Sequence, residues 1–419
     1  MDKKYSWRAW VVVVSGALFF FYEFLKMSML NAISFGLMRD FSLSSTQLAF
    51  LSTTFLFATI AFLLPSGIML DRFGPRKILL TTLAVSIVGT IIFSFTSSIL
   101  VAGFAHFLDG IGDAFSFLIC VTLIARWFPS TKMGLAMGIV LPIGLWGGIV
   151  AQTPLTLLNG LFGWRGTLLV VAGIGFIIWC NAWFFVYDRP EKNIEEKLPE
   201  FKLFHYLKLL VKNRQNWLGG IFTGLLNLPI MIFDSLYGNL YLQQYYHFKS
   251  TQASYINTMI FLGTIIGAPL LGWFSDKIYS RRAPMFLGAL FSVFLVLIII
   301  KSHHLSFKEL IVLFFLLGLT TSAQVLSYTA IVENNPLHLA SSANGFASIF
   351  IMGCAALAQP LFGWLMKWHW NGSIMNGVPY FSQHDYRLAL TLLPVRFVLA
   401  LFAVCFMRET HCQQFRSLP

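Results

Sequence analysis

Long apolar runs constrain this chain more than any other feature. Twelve stretches of mostly apolar residues follow one another, and each is close to the roughly 20 residues that a helix needs to cross a bilayer. Numbered as spans 1 to 12, they cover residues 9–36, 46–69, 78–96, 99–125, 134–158, 164–187, 216–243, 252–274, 284–301, 309–333, 341–366 and 387–407. None shows the roughly ten-residue alternating pattern of a membrane β-barrel strand. The sequence therefore predicts an all-α membrane protein with twelve transmembrane helices.

Composition supports this class and excludes others. Of the 419 residues, 57% are hydrophobic and only 11% are charged, whereas soluble domains carry about 25% charged residues. This excludes a cytosolic enzyme, a nucleic-acid binder and a disordered protein. The five cysteines lack CxxC spacing, and the sequence contains no Walker, Gly-x-Ser-x-Gly or His-Glu-x-x-His motif. We therefore expect no disulfide framework, metal site, cofactor or enzymatic activity.

Lysine and arginine predict the orientation. With both termini on one side of the membrane, 20 of the 29 Lys and Arg residues fall on that side and seven on the other. The positive-inside rule then places both termini in the cytoplasm, in an inner membrane. We expect an N-terminal six-helix bundle in residues 1–187, a cytoplasmic linker in 188–215 and a C-terminal six-helix bundle in 216–419. Apolar residues at helical spacing predict either an amphipathic surface helix or a plain linker in 188–215: Leu203, Tyr206, Leu207 and Leu210.

The two halves of the chain repeat a motif. Residues 67–77 read GIMLDRFGPRK after span 2, and residues 272–282 read GWFSDKIYSRR after span 8. The interior glycines Gly110 of span 4 and Gly318 of span 10 also match. This doubled motif resembles the signature of the major facilitator superfamily. The resemblance implies two six-helix bundles that rock about a site at mid-membrane.

The resemblance also implies a gate at the cytoplasmic mouth. There, Gly67 would allow close helix approach, and Asp71 would pair with an arginine or face a helix N-terminus. The alternative is that these charges only set the topology. The gating residues implied by the two motif copies are Gly67, Asp71, Arg72, Arg76, Asp276 and Arg281.

Two further segments suggest a narrower group. Residues 21–26 (FYEFLK) in span 1 and 236–242 (LYGNLYL) in span 7 resemble the phagosomal transporters of intracellular bacteria, which import amino acids and related nutrients. This resemblance implies proton-coupled uptake of a small organic nutrient, with an amino acid as the first candidate. The superfamily often has an arginine in span 4 where this chain has His106, so an arginine-based proton mechanism is not implied.

Span 1 carries two charges inside the membrane. A charge at the bilayer centre costs on the order of 2.5–3.5 kcal/mol, so such residues normally have a partner or a function. Glu23 and Lys26 lie three residues apart, with Tyr22 beside them. This spacing predicts either a structural ion pair or a substrate site. In that site Lys26 would bind a carboxylate, and Glu23 an amine or a proton.

Span 4 carries a polar stripe. His106, Asp109 and Asp113 lie on one helix face. Two acids one turn apart in a low-dielectric site resist ionising together, so one of them would hold a proton. The stripe predicts a proton-coupling site, with Asp113 as the main carrier, Asp109 second and His106 as relay. The alternative is a polar stripe that only packs against span 1.

Neutral and acidic residues in the second half complete the candidate substrate site. Asn227, Asp234 and Tyr241 are seven apart in span 7 and are expected to share a helix face, while Gln324 and Gln359 could form hydrogen bonds to a substrate. We expect a monomeric secondary transporter whose partners are a small-molecule substrate, protons and the bilayer. Two alternatives stay open, namely a proton-driven exporter of a drug or a small metabolite such as a siderophore, and a polytopic sensor that moves no ligand.

Overall fold

Helices form nearly all of the computed structural model, which describes residues 7–128, 130–188, 209–302, 304–335 and 340–413. The helices of the first half are Trp7–Phe41, Ser45–Phe73, Pro75–Phe95, Ile99–Trp127, Ser130–Ala151 and Thr153–Phe185. Span 7 consists of Arg214–Leu226, a π-helix Ile230–Tyr237 and Gly238–Tyr246. Spans 8 to 12 are Ser250–Lys277, Arg282–Lys301, Phe307–Thr321 continued by Ser322–Gln324 and Val325–Glu333, Ala340–Trp368, and Gln383–Leu390 continued by Leu392–Phe406. A two-stranded antiparallel hairpin, Ile374–Met375 with Val378–Pro379, lies between spans 11 and 12.

Spans 5 and 6 are separated by a turn at Gly163. The helical stretch Ala136–Phe185 has 50 residues and would be about 75 Å long as one helix, more than twice the bilayer core. Gly163 has φ 67° and ψ 175°, a conformation that glycine adopts without steric strain. Ten helical stretches of the described residues are apolar and long enough to cross a membrane, or eleven with the bent span 7. Dividing this stretch at Gly163 gives the twelve predicted spans.

Serine residues begin several helices on one side of the membrane. We call the side of Trp7 and Met407 the terminal side, and the opposite side the loop side. On the loop side, Ser44, Ser306 and Ser382 cap the first turns of spans 2, 10 and 12 through reciprocal side-chain and backbone hydrogen bonds. Such a cap contributes about 1 kcal/mol, so these caps stabilise the points at which the chain re-enters the membrane.

The matched glycines pack in the same way in both halves. Gly110 of span 4 lies against the carbonyl oxygen of Phe55 in span 2, and Gly318 of span 10 lies against that of Ile260 in span 8. A Cβ at either glycine would overlap the facing oxygen. Only glycine allows helices to approach this closely. The repeat found in the sequence is therefore a repeat of helix packing.

Replacing Gly110 by alanine is expected to destabilise the protein by about 1–3 kcal/mol, because the added methyl group must displace a neighbouring backbone. Gly173 is a matched control, since it lies inside span 6 and its added Cβ would meet no heavy atom of the described residues within 4 Å. Thermal unfolding in detergent should show a lower midpoint for Gly110→Ala and no decrease for Gly173→Ala. Equal midpoints for the two variants would contradict the packing assigned to Gly110.

The two halves are joined on the loop side. Ser45 donates its hydroxyl hydrogen to the carbonyl of Gly363 (2.8 Å), and Tyr237 donates to the carbonyl of Ser45 (2.8 Å). The hydroxyls of Thr153 and Thr258 face each other at 3.5 Å. These contacts all lie in the half of the membrane toward the loop side. The structure is therefore a conformation closed on that side.

Most of the linker between the halves, residues 189–208, lies outside the described residues, including Leu203, Tyr206 and Leu207 of the expected surface helix. Residues 209–212 are helical. Leu210 is buried there with Ile331 and Ala347. This end of the linker packs on the C-terminal half.

Candidate functional site: a charged cluster in the N-terminal half

Lys26 is the centre of a cluster of buried charged residues inside the N-terminal half. Its ammonium group forms an ion pair with Asp109 of span 4 and donates a hydrogen bond to the hydroxyl of Thr90 in span 3. The carbonyl of Ser86 lies 3.4 Å from Nζ, and the ring centroid of Tyr22 lies 5.4 Å away. Both charged side chains have 0% exposure. The three ammonium hydrogens therefore all have acceptors, as a buried lysine requires.

Asp109 bridges Lys26 to His106. One carboxylate oxygen accepts from Lys26, and the other lies 3.2 Å from Nδ1 of His106. The imidazole is buried between the rings of Phe55 and Phe93, with centroid distances of 5.2 and 5.9 Å. Since histidine can accept or release a proton, this contact allows proton exchange between the ring and the carboxylate.

Among the described residues, neither carboxyl oxygen of Glu23 forms a hydrogen bond, although the side chain is fully buried. Gly112 of span 4 makes room for the carboxyl group, because a Cβ there would overlap it. The ion pair expected between Glu23 and Lys26 is not formed. Asp109 takes the place of Glu23, since span 4 offers Lys26 a carboxylate next to the acceptors of span 3.

Asp113 faces a different neighbour from Asp109, although both lie on one stripe of span 4. Its Oδ2 accepts a hydrogen bond of 3.0 Å from the hydroxyl of Thr59 in span 2. The same hydroxyl lies 3.2 Å from the carbonyl of Gly110. The stripe predicted from the sequence is thus divided. Asp109 faces Lys26 and span 3, whereas Asp113 faces span 2.

The charges of this cluster do not balance if all its acids are ionised. Spans 1 and 4 carry three carboxyl groups, Glu23, Asp109 and Asp113, and the ion pair of Lys26 uses only Asp109. A buried carboxylate without a partner is strongly disfavoured, and such a group neutralises instead. Glu23 therefore has the chemistry of a group that binds a proton, whereas Asp113 is half-buried and accepts a hydrogen bond from Thr59.

The polar residues of span 7 do not form one row. Asn227 donates to the side-chain oxygen of Gln324 (2.7 Å), whereas Tyr241 packs against Tyr245 and Tyr386. Asp234 lies between them, inside the π-helix Ile230–Tyr237. The expected common face assumed a uniform α-helix, and it is lost because a π-helix bonds residue i to i+5 and changes the rotation per residue.

Several buried acceptors in the C-terminal half lack a donor. In the part of the chain that the structure describes, both carboxyl oxygens of Asp234 have no hydrogen-bond partner, and the same holds for Oδ1 of Asn227 and Oε1 of Gln359. The amide nitrogen of Gln359 is used, because it donates to the carbonyl of Met231 (2.7 Å). What remains is a set of acceptors on spans 7 and 11 that a group rich in N–H or O–H would satisfy.

The motif copy of the second half forms an ion network on the terminal side. Arg281 binds Asp276 (2.6 Å) and Glu333 at the end of span 10 (2.8 Å). No sequence motif marks Glu333, which simply ends an apolar run. All three residues belong to the C-terminal half, so the network connects spans 8, 9 and 10 within this half.

Glu409 caps the start of span 9 in the same network. Although burial acts against ionisation, hydrogen bonds from the Ser280 hydroxyl and from the backbone N–H groups of Arg281 and Arg282 hold the pKa of Glu409 below its usual range. Carboxylates are stabilised at helix N-termini. This residue also lacks a sequence signal, because it follows span 12 and meets span 9 only in the fold.

The first half has a comparable cap. Asp188, just after span 6, accepts from the backbone N–H of Arg76 (3.2 Å), and the guanidinium of Arg76 donates to the carbonyl of Trp183 (2.9 Å). Arg72 is exposed, with its guanidinium 5.3 Å from the ring centroid of Phe73. In each half, residues at the end of the last span therefore form hydrogen bonds with residues at the start of the third span.

Of the gating residues expected in the first motif copy, Asp71 and Gly67 need separate treatment. The side chain of Asp71 lies outside the described part of the structure. At Gly67, an added Cβ would meet no heavy atom of the described residues within 4 Å. Among these residues, the expected close approach at Gly67 is absent in this conformation, in which the halves are joined on the opposite side of the membrane.

Comparison with known proteins agrees with this architecture. The family model of the Major Facilitator Superfamily matches residues 16–249 and 228–411. The chain is 24% identical over 356 residues to the probable sulfoacetate transporter SauU of Cupriavidus necator, covering 78% of this chain and 80% of the relative. It is also 24% identical over 407 residues to the membrane sensor protein UhpC of Escherichia coli, covering 89% of each.

A similar crystal structure is that of a bacterial homologue of the human lysosomal transporter Spinster, in an inward-facing and unoccupied conformation. It superposes with a TM-score of 0.76 at 16% identity, over 96% of this chain and 97% of that one. This likeness concerns the fold alone. Together with the family match over nearly the whole sequence, the twelve spans and the repeated helix packing lead to one conclusion: the chain belongs to the major facilitator superfamily.

Proposed function

We propose that this secondary transporter takes up a small organic nutrient that bears a carboxylate, an amino acid or another organic acid, together with protons. The observation that carries the proposal is the buried Lys26–Asp109–His106 cluster with the unpartnered Glu23 beside it. The similarity to a probable sulfoacetate transporter supports a substrate of this kind.

Glu23 and Asp113 are the proton carriers in this proposal, because both are acids in the membrane and neither forms an ion pair with a described residue. With Glu23 protonated, Lys26 binds Asp109, as it does here. Loss of the proton would place a second carboxylate one helical turn from Lys26 and draw the ammonium group toward span 1. His106 would relay a proton to or from Asp109. The protonation state of the cluster thereby decides where its positive charge lies.

The carboxylate of the substrate would bind in the N-terminal half. Lys26 pairs with Asp109 in the conformation described here. When Asp109 is neutralised, Lys26 becomes available to a substrate carboxylate that approaches along span 1, beside the ring of Tyr22. The substrate then replaces Asp109 as the counter-ion of the buried lysine, so the ammonium group keeps a partner throughout.

The donors of the substrate, an ammonium or hydroxyl groups, would bind in the C-terminal half. Unpartnered acceptors are available there on Asn227, Asp234 and Gln359. Gln324 and Tyr241 would border this site, because the first binds Asn227 and the second lies on span 7. A substrate held by both halves favours their closure around it.

A panel of purified candidates tests the substrate class. Sulfoacetate, sugar acids, amino acids, nucleosides and siderophores should be added separately to the protein in detergent, and the thermal midpoint measured. A ligand that binds the folded state raises the midpoint. We expect stabilisation by at least one carboxylate-bearing compound. Stabilisation by neutral nucleosides alone would contradict a carboxylate site.

We also propose that the gate follows the two motif copies. Asp71, Arg72 and Arg76 in the first half, with Asp276 and Arg281 in the second, lie at the terminal-side ends of spans 2, 3, 8 and 9. If the termini are cytoplasmic, as the charge bias predicts, the loop side is periplasmic. The conformation described here would then be closed to the periplasm.

The orientation has a direct test. A cysteine introduced at Lys197 in a cysteine-free variant should react with a membrane-impermeant maleimide only in inverted membrane vesicles or after permeabilisation, because the linker is expected in the cytoplasm. A cysteine at Lys249, which precedes span 8 on the loop side, should react in intact spheroplasts. The reverse pattern would overturn the orientation.

A sensor is the second candidate function, because the chain aligns with UhpC over 89% of both proteins. A sensor would bind a ligand from the same panel and move none of it. Ligand binding without measurable flux in proteoliposomes would favour this function over transport.

A further inference from the structure

Span 7 has an interruption in its backbone hydrogen bonding. In the π-helix Ile230–Tyr237, the N–H of Gly238 bonds to the carbonyl of Phe233, five residues earlier. The next pair in this series would be the N–H of Asn239 and the carbonyl of Asp234. The π-helix ends before this pair, and an α-helix begins at Gly238.

Side chains of the other half bind both groups of this pair. Oδ1 of Asn31 in span 1 accepts the N–H of Asn239 (2.8 Å), and Nε2 of Gln152, which lies inside span 5 between Ser130–Ala151 and Thr153–Phe185, donates to the carbonyl of Asp234 (2.8 Å). Asn31 also donates to the side-chain oxygen of Gln152 (2.9 Å). We call these two side chains the amide bridge. From the N-terminal half, it contacts the two groups that would form the next bond of the π-helical series.

The amide bridge lies in a setting where unpaired groups are unfavourable. Asn31 and Gln152 are both fully buried, and Asn239 is 1% exposed. A second hydrogen bond, from the side chain of Asn239 to the carbonyl of Asn31 (3.2 Å), fixes spans 1 and 7 together. Within the membrane, backbone groups that lose a partner must find another. The bridge can therefore open only if the Asp234 carbonyl and the Asn239 N–H pair elsewhere, and the two are themselves the next pair of the π-helical series.

We propose that Asn31 and Gln152 are positioning residues that hold span 7 in its interrupted form while the loop side is closed. When the halves separate, Asp234 and Asn239 pair with each other and the helix becomes continuous at this point. The local rotation of the helix changes, and the carboxyl group of Asp234 moves with it. Closure of the loop side thus sets the position of Asp234. This inference rests on the alternating access of the proposed function, but not on the substrate or on protons.

A reporter cysteine tests whether the amide bridge holds the loop side closed. In a variant with the five native cysteines replaced, Thr258→Cys lies in the closed contact, at a position 7% exposed and opposite Thr153. We expect Gln152→Met to raise the rate at which an impermeant maleimide labels this cysteine from the loop side by about tenfold. The reason is that only the closed conformation loses a hydrogen bond, and tenfold corresponds to about 1.4 kcal/mol. Asn31→Leu should have a similar effect.

Asn159→Leu is the matched control. The amide of Asn159 donates to the carbonyl of Ala32 (3.0 Å) within the same half, so its loss should leave the labelling rate unchanged. The double variant Asn31→Leu/Gln152→Met should label no faster than the faster single variant, because each change breaks the same bridge. Equal rates for Gln152→Met and Asn159→Leu would overturn the proposal, and so would independent effects of the two bridge residues.

Hydrogen exchange distinguishes positioning from a structural defect. In Asn31→Leu, which removes the side-chain acceptor of this group, the backbone amide of Asn239 should remain protected, because it pairs with the carbonyl of Asp234. Fast exchange of this amide in a folded variant would contradict the proposed pairing. Both measurements require neither substrate nor a proton gradient, so they stay interpretable if the transport assignment fails.

Discussion

Replacing Lys26 by alanine is expected to abolish transport and to destabilise the protein by about 3–5 kcal/mol, because it leaves Asp109 as a buried charge without its partner. Thermal unfolding and substrate uptake into proteoliposomes measure the two effects. Lys26→Arg should retain part of both, since it keeps the charge while changing the geometry.

A double variant separates structure from function at this site. Lys26→Met/Asp109→Asn removes both charges together, so we expect stability to return while transport stays lost. Lys26→Leu is not a substitute for this control, because it again leaves Asp109 unpaired. Normal transport by Lys26→Ala, or by the neutral double variant, would show that the ion pair has no part in coupling.

Glu23→Gln is expected to reduce proton-driven accumulation by more than about tenfold, while leaving substrate exchange across the membrane within about twofold. Glutamine has the size of a protonated glutamate but cannot release a proton to act as a carrier, and exchange requires no net proton movement. Because Glu23 has no hydrogen-bond partner here, the change should hardly affect stability. Uptake under a proton gradient and counterflow at equal pH give the two rates.

Asp113→Asn is the matched variant on span 4. It keeps an acceptor for the hydroxyl of Thr59, and we expect the same separation of accumulation from exchange. Glu309→Gln is the control, since this exposed acid caps the start of span 10, outside the cluster, and its loss should leave accumulation unchanged. Undiminished accumulation in both Glu23→Gln and Asp113→Asn would remove these two acids as carriers and leave Asp109 or Asp234.

Much of the fold could be predicted from the sequence. The apolar runs predicted the number of spans, and the matched glycines Gly110 and Gly318 indicated a packing that recurs in both halves. These features are local or periodic, so they can be read along the chain. The turn at Gly163 also lies where the apolar runs predict it, between the end of span 5 and the start of span 6.

The partners of the charged residues could not be predicted in the same way. Helical spacing shows that Glu23 and Lys26 can meet, but Lys26 instead binds Asp109, which is 83 residues away. Thr90 of span 3 also carried no signal, because a threonine in an apolar helix commonly bonds its own backbone. Which neighbour a long side chain reaches depends on how helices pack, and this is absent from a helical wheel.

Span 7 shows a second limit. The prediction for Asn227, Asp234 and Tyr241 assumed a uniform α-helix, and the π-helix Ile230–Tyr237 changes the rotation between them. The side chains that bind the end of this π-helix, including that of Asn31, come from the other half of the chain. A polar residue inside an apolar run is the one signal that could have drawn attention to Asn31.

Substrate-driven proton movement tests the central claim most directly. Proteoliposomes that contain the purified protein and an internal pH-sensitive dye should receive an inward gradient of the carboxylate identified by the ligand panel, with no proton gradient imposed. We expect the interior to acidify as the substrate enters, and Glu23→Gln vesicles to take up substrate down its gradient without acidifying. Substrate entry without acidification by the unmodified protein would contradict proton coupling at this cluster.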